Sequence, residues 1–265
     1  MNKWTDIREF FAAEINGWGR DCAVAGMFLT RLPFPDIKGA ANKGRLGAAA
    51  RAFPLIGVLV GVIGGAALLA AAELDLHPLA CALIGLAATV LATGALHEDG
   101  LADVADGLGG GDTVEKKLKI MRDSRIGAFG VLAVVFSVSI RAAILGGLPG
   151  PGLAAAALVA AAALSRGLLP ITMHRLEPAR KSGLAVRAGD PDREGWIKAG
   201  LLGVLAGFLF LGPWGGLLAA AMAAAAAWFV AWLCQRQMGG YPGDVLGAQQ
   251  QAAEAAVLMA VAAAL

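Results

Sequence analysis

Seven stretches of this chain, 52–72, 76–96, 128–147, 152–171, 196–214, 216–234 and 245–265, each run to the length of a membrane-crossing helix with few charged side chains. About twenty apolar residues at 1.5 Å per residue match a hydrocarbon layer roughly 30 Å thick. Composition points the same way: 58% of the 265 residues are hydrophobic and 16% charged, against about a quarter charged in an ordinary soluble domain. So few charges cannot clothe a water-facing surface. The expectation is an all-α, polytopic membrane helical bundle of about seven transmembrane helices, forming a single integral domain over 1–265. Disorder is excluded by the same composition, and the net charge of +2 carries no nucleic-acid signature. Cys22, Cys81 and Cys234, odd in number and scattered, exclude a disulfide scaffold.

The connections are of two kinds. Short turns at 73–77, 146–152 and 212–216 hold no lysine or arginine. Polar segments at 31–51, 97–127, 172–195 and 235–244, together with the N-terminal segment and their borders, hold all of them except Arg141 and Arg166. Because positive residues stay on the cytoplasmic side, those segments and the N-terminus are expected to be cytoplasmic and the C-terminus outward. Gly212-Pro213 leaves open a re-entrant hairpin over 196–234 in place of two spans. Gly57, Gly61, Gly64 and Gly65 predict close helix approach, since small residues let helices pack tightly in lipid. The charges within 1–21 leave no room for an apolar signal core. Trp4, Ile7, Phe11, Ile15 and Trp18 recur at three- and four-residue steps, which predicts an amphipathic helix over 1–30. It either lies at the membrane interface or packs on the rest of the chain.

The chemistry concentrates in 97–127, expected to be a cytoplasmic catalytic loop. Its opening reads His97-Glu98-Asp99-Gly100-Leu101-Ala102-Asp103-Val104-Ala105-Asp106-Gly107. On a helix, Asp99, Asp103 and Asp106 share one face, and three stacked carboxylates repel unless a cation lies between them. Oxygen ligands without a cysteine cluster favour Mg²⁺. A solvated acidic face is the competing reading. Glu98 points away from the middle of that face. His97 reads either as a hydrogen-bonded interface residue or as part of the site. The glycines at 107 and 109–111 suit a phosphate-approaching loop or a flexible linker equally. Downstream, Arg122, Asp123 and Arg125 suit phosphate binding, while Lys116, Lys117 and Lys119 suit charge that sets topology. Inside the spans, Arg166 is placed to reach the acids or a substrate phosphate, and Arg141 to form a structural ion pair or to snorkel. Asp244 reads as a helix N-cap or as a metal or substrate ligand.

Together these segments resemble the adenosylcobinamide-GDP ribazoletransferase (cobalamin synthase) family. The pieces are Phe28-Leu29-Thr30-Arg31-Leu32-Pro33, Arg51-Ala52-Phe53-Pro54-Leu55-Ile56-Gly57, the His97–Gly107 run, Met121-Arg122-Asp123-Ser124-Arg125-Ile126-Gly127, Ser165-Arg166 and Gly243-Asp244-Val245-Leu246-Gly247-Ala248. The resemblance implies a Mg²⁺-dependent, multi-pass enzyme of the inner membrane, its active site facing the cytoplasm. It would join α-ribazole, or its 5′-phosphate, to adenosylcobinamide-GDP with release of GMP, a late step of vitamin B12 assembly. On this view Asp99, Asp103 and Asp106 hold the metal, and Asp103, Arg122, Asp123 and Arg125 act at the reaction centre. Asp123 would orient or deprotonate the ribazole 5′-hydroxyl. Arg31, His97, Arg166 and Asp244 would bind substrate. A homo-oligomer, or a complex with other late cobalamin enzymes, remains open. Two alternatives are a CDP-alcohol phosphotransferase-like lipid enzyme, whose D-x-x-D-G start Asp103, Asp106 and Gly107 match without the expected Ala-Arg, and a small-solute transporter.

Overall fold

The computed structural model describes the backbone of residues 3–265 and the side chains from Glu14 onward. Among the described residues every regular element is helical: α1 (Lys3–Leu29), α2 (Arg45–Ala48), α3 (Phe53–Ala72), α4 (Pro78–Thr93), α5 (Leu96–Gly110), α6 (Val114–Ile120), α7 (Ala128–Gly147), α8 (Pro151–Arg175), α9 (Leu184–Ala188), α10 (Arg193–Met238) and α11 (Asp244–Ala263). The all-α membrane-type bundle expected from the apolar stretches is what the chain forms.

Glycine decides how closely α3 and α8 pack. A methyl group at Gly57 would stand 2.3 Å from the Ala162 carbonyl oxygen, and one at Gly61 would stand 2.5 Å from the Val159 Cα. Only hydrogen fits there, and the falling partner numbers make the two helices antiparallel. Gly212 (φ 71°, ψ 177°) followed by Pro213 breaks α10, so that it is two helices, 193–211 and 213–238. A methyl at Gly216 would lie 2.8 Å from the Gly207 carbonyl carbon, so the two arms fold back on each other. Each arm is long enough to cross the hydrocarbon layer.

Counted by length and apolarity, four helices qualify as spans: α3 with the turn before it, α7, α8 and α10. The expected seven are not all recovered on that measure, for three physical reasons. The α10 hairpin counts once. α4 is only 16 residues long, stopped by left-handed Gly94 and Ala95 (φ 64° and 58°). There the chain bends by 91° into α5, and the pair would count as a fifth span if taken together. α11 carries Gln249, Gln250, Gln251 and Glu254 in its middle.

That polar run makes α11 the centre of the bundle. Glu254 accepts from Arg141 Nη1 (2.9 Å) and lies 3.8 Å from Arg166 Nη1. Glu98 accepts from Gln251 Nε2 (2.9 Å) and stands 3.8 Å from Arg141 Nη2. Gln250 donates to Ser165 and Gln249 to Thr172. Two arginines are balanced by two glutamates, tying α5, α7, α8 and α11 together where a lone charge would be costly.

The polar segments gather at one end of the bundle. Gly47 meets Gly189, Tyr241 N–H donates to the Glu177 carbonyl (3.0 Å), and Arg31 N–H donates to the Ala92 carbonyl (2.8 Å). At the other end Gly146 meets Leu79. α1 is helical as expected, and its second half joins the bundle. Val24, Ala25 and Leu29 are buried. Asp21 pairs with Arg45 (2.9 Å) and Arg51 (2.7 Å). The Arg51 guanidinium lies 4.3 Å over the Trp18 ring, while Ile15 faces outward. Trp4, Ile7 and Phe11 of the apolar stripe lie outside the residues whose side chains are described.

Candidate active site

The opening of the segment expected to be a catalytic loop is helix α5, so Asp99, Asp103 and Asp106 do lie along one face. Their surroundings nevertheless divide them. Asp99 and Asp103 line a cleft of about 270 Å³ whose opposite wall is Met121 to Ile126, including Arg122, Asp123, Ser124 and Arg125. Asp99 also borders an adjoining cavity of about 390 Å³ lined by Thr30, Arg31, Thr93 and Gly94. Asp106 turns toward α7. Its two carboxylate oxygens accept the N–H groups of Gly127 (2.7 Å) and Gly130 (2.8 Å), which makes it the cap of α7.

Electrostatics single out Asp103. Burial first, then the negative fields of Asp244, Asp99 and Asp106, raise its carboxyl to about 7, with Arg180 opposing. Asp123 is the opposite case. Its carboxylate accepts from Arg125 Nη2 (2.6 Å) and Nε (3.0 Å), and these bonds hold it down to about 2. Asp244 is the first residue of α11, whose N-cap is Gly243. Its Oδ2 is buried and stands 3.8 Å from Arg180 Nη1. Gly243 holds the N-cap position that is one reading of Asp244, and Asp244 is instead a charged neighbour of Asp103.

Two residues expected at the substrate, Arg166 and His97, do not line this cleft. Arg166 is 2% exposed, donates to the Ala162 carbonyl (3.0 Å) and faces Glu254. His97 is buried in the field of Arg166 and Arg141. Arg166 belongs to the ionic centre of the bundle, where Glu254 and Glu98 supply its counter-charge, and His97 lies beside that centre. Lys117, expected to set topology, is likewise buried and donates to Gln237 of α10 (2.5 Å). Lys116 is exposed beside Asp112.

Sequence reasoning missed Arg180. It donates to the Leu118 carbonyl of α6 (3.0 Å) while facing Asp244. In the sequence it was one positive charge among many in 172–195. The glutamine run and Glu254 were missed too, although a polar run inside an apolar helix is itself a signal of an interior or functional face.

The donor set of the cleft fits a hard divalent cation. Its charged oxygen donors are the carboxylates of Asp99, Asp103 and Asp123, and burial together with the neighbouring carboxylates keeps Asp103 from ionising freely. Among the described residues no three carboxylate, imidazole or thiolate groups gather closely enough to hold a metal unaided. The three-aspartate set expected from the sequence is thus not assembled, and Asp99 and Asp103 could offer a Mg²⁺ ion one or two carboxylates, the rest of its shell coming from water and phosphate oxygens.

Comparison with known proteins adds a family. The chain matches the family model described as cobalamin-5-phosphate synthase over residues 21–262. It is similar to the adenosylcobinamide-GDP ribazoletransferase of Rhizobium etli, 45% identical over 260 residues, covering 95% of this chain and 100% of the relative. The protein of the same name in Mesorhizobium japonicum is 46% identical over 248 residues, 92% of this chain and 93% of the relative. That in Bradyrhizobium diazoefficiens is 43% identical over 243 residues, with 92% and 93% covered. No solved structure matches the chain.

Proposed function

The chain belongs to the cobalamin-5-phosphate synthase family, and from that premise we propose that it transfers the adenosylcobinamide phosphate group of adenosylcobinamide-GDP to ribazole, releasing GMP. Family membership removes the lipid-enzyme and transporter alternatives. The observation that carries the reading is the cleft in which Asp99 and Asp103 face Arg122 and Arg125. Phosphoryl transfer needs charge neutralisation and positioning more than covalent help from the protein, and this cleft offers both signs of charge across one small space.

Arg122 and Arg125 bind phosphate oxygens of the donor, each through a planar guanidinium suited to two oxygens at once. For Arg125 this means exchanging Asp123 for phosphate. The freed Asp123, no longer held near 2, accepts the proton of the attacking hydroxyl. That hydroxyl is not the 5′-hydroxyl: a product described as a 5-phosphate keeps that position occupied, so another ribose hydroxyl attacks. Its oxygen bonds to the cobinamide phosphorus as the bond to GMP breaks. Asp99 and Asp103 would hold a Mg²⁺ ion, which would supply charge neutralisation for the diphosphate as GMP leaves. In this reading the polar end of the bundle, which gathers the lysine- and arginine-bearing segments, faces the cytoplasm of the inner membrane.

Purified protein incubated with adenosylcobinamide-GDP and α-ribazole, with Mg²⁺ or with EDTA, tests the reading. Cobalamin and GMP should form together with Mg²⁺ and stop with EDTA. No GMP from any combination of the donor with ribazole or its phosphate would overturn it.

A further inference from the structure

Between the end of α8, the second arm of α10 and the start of α11 lies a cavity of about 510 Å³, its apolar wall including Leu168, Ile171, Ala224, Ala227, Trp228 and Ala231. None of these residues entered the argument for catalysis. The volume is that of a small-molecule site. Ala224, Ala227 and Ala231 recur at three- and four-residue steps, on one face of α10, and their short side chains leave the space open. Trp228 and Trp232 border it with 66% and 40% of their surface exposed. Exposed tryptophans near the polar end of a membrane helix mark the level of the lipid headgroups. The cavity is therefore a groove on the lipid side of the bundle.

Two polar groups distinguish this groove from a bare apolar face. Gln249, on its wall, is 2% exposed and donates through Nε2 to Thr172 Oγ1 (2.6 Å), while its Oε1 is buried without a hydrogen-bond partner. The Thr172 hydroxyl can equally donate to the amide oxygen, which leaves the amide NH₂ free instead. In either arrangement one end of a buried amide lacks a partner, a costly state. Arg175, in the last turn of α8, also borders the groove and has no ion-pair or hydrogen-bond partner among the described residues. Arg175, Thr172 and Leu168 follow one another down a single face of α8. From the polar end inward the groove thus presents a cation, then a hydrogen-bonding amide about 5 Å deeper, then hydrocarbon.

A glycerophospholipid carries complementary groups in the same order: phosphate, ester carbonyls, acyl chain. We propose that the groove seats one such lipid, its phosphate on Arg175, an ester carbonyl on the Gln249 amide NH₂ and an acyl chain between Leu168 and the alanine face of α10. With the lipid in place the Thr172 hydroxyl donates to the amide oxygen, so both ends of Gln249 are answered. A free phosphate would meet Arg175 but leave Gln249 and the apolar wall as they are. A seated lipid spans α8, the second arm of α10 and α11, and by binding only the folded chain it stabilises that corner of the bundle. The seat is independent of the reaction proposed above.

The test titrates the full chain, purified in detergent and stripped of lipid, with dioleoylphosphatidylglycerol, and counts bound lipids by native mass spectrometry. One lipid should bind at a concentration about tenfold or more below that of any further lipid. Arg175→Gln should weaken this first binding by about tenfold, as loss of a charge-assisted contact does. Dioleoylglycerol, with the same chains and no phosphate, should bind the wild type about tenfold more weakly. Ala231→Phe, which fills the groove and leaves Arg175 in place, should remove the first binding and the rise in melting temperature that the lipid gives the wild type. Ala224→Leu, at an exposed position, replaces it if that variant does not fold. A ladder of equally weak adducts on the wild type overturns the proposal, and so does a first lipid unchanged by either substitution. Equal binding of dioleoylglycerol removes the phosphate contact, and binding of glycerol 3-phosphate as tight as that of the lipid removes the chain; either defeats the seat as described. If the wild type is a dimer that Ala231→Phe dissociates, a second copy covers the groove and the proposal fails.

Discussion

Asp103 shows how one side chain can report both the fold and the chemistry. Its carboxyl, raised from 3.8 to about 7, binds a proton more tightly folded than unfolded. The sign follows: without a bound cation, folded-state stability falls as pH rises from about 4 to about 7 and levels off above. In EDTA the melting temperature should therefore decline over that range. The decline should flatten in Asp103→Asn, and Mg²⁺ should flatten it in the wild type. The same variant should lose turnover by about a hundredfold or more, as removal of transition-state charge stabilisation does. Near-normal turnover in Asp103→Asn, or a pH slope unchanged by it, would move the cation site elsewhere. Glu98, one residue from Asp99, has another task. Buried between Gln251 and Arg141, it holds the bundle together, and its substitution reports stability before it reports catalysis.

Single helices carry more than one duty here. Along α5 the spacing of Asp99, Asp103 and Asp106 gives one acidic face, but the last carboxylate is committed to the N-terminus of α7. Asp106→Ala should cost about 1–2 kcal/mol of stability through the lost cap, read by thermal or denaturant unfolding in detergent, with turnover per folded molecule reduced far less than in Asp103→Asn. Unchanged stability together with abolished turnover would return Asp106 to the metal set. α11 illustrates the converse. Read by hydropathy it is a weak final span; packed, it is the polar axis that neutralises Arg141 and Arg166. α10 breaks at Gly212-Pro213 into two arms that fold back on each other, as both readings of 196–234 require.

At the scale of the molecule, the gathering of all four polar segments at one end makes sidedness a single testable property. A cysteine at position 112 in α5–α6 should resist labelling by an impermeant maleimide added outside intact cells, whereas one appended after Leu265 should react. Labelling at 112 before permeabilisation would invert the orientation. The sequence by itself determined the class of fold, the segregation of charge and the family, because apolar length, lysine and arginine placement and contiguous motifs are properties of the chain taken in order. It also located Asp99, Asp103 and the Arg122–Arg125 wall, which lie close together in the chain. Only the tertiary structure decided which charges are spent. Arg166 and His97 turn inward, Asp106 caps a helix, Lys117 is buried, and Arg180 faces Asp244. A charge in a low-dielectric bundle goes to the counter-charge nearest in space, and Glu254 and Asp244, the partners that settle Arg166 and Arg180, lie far from them along the chain.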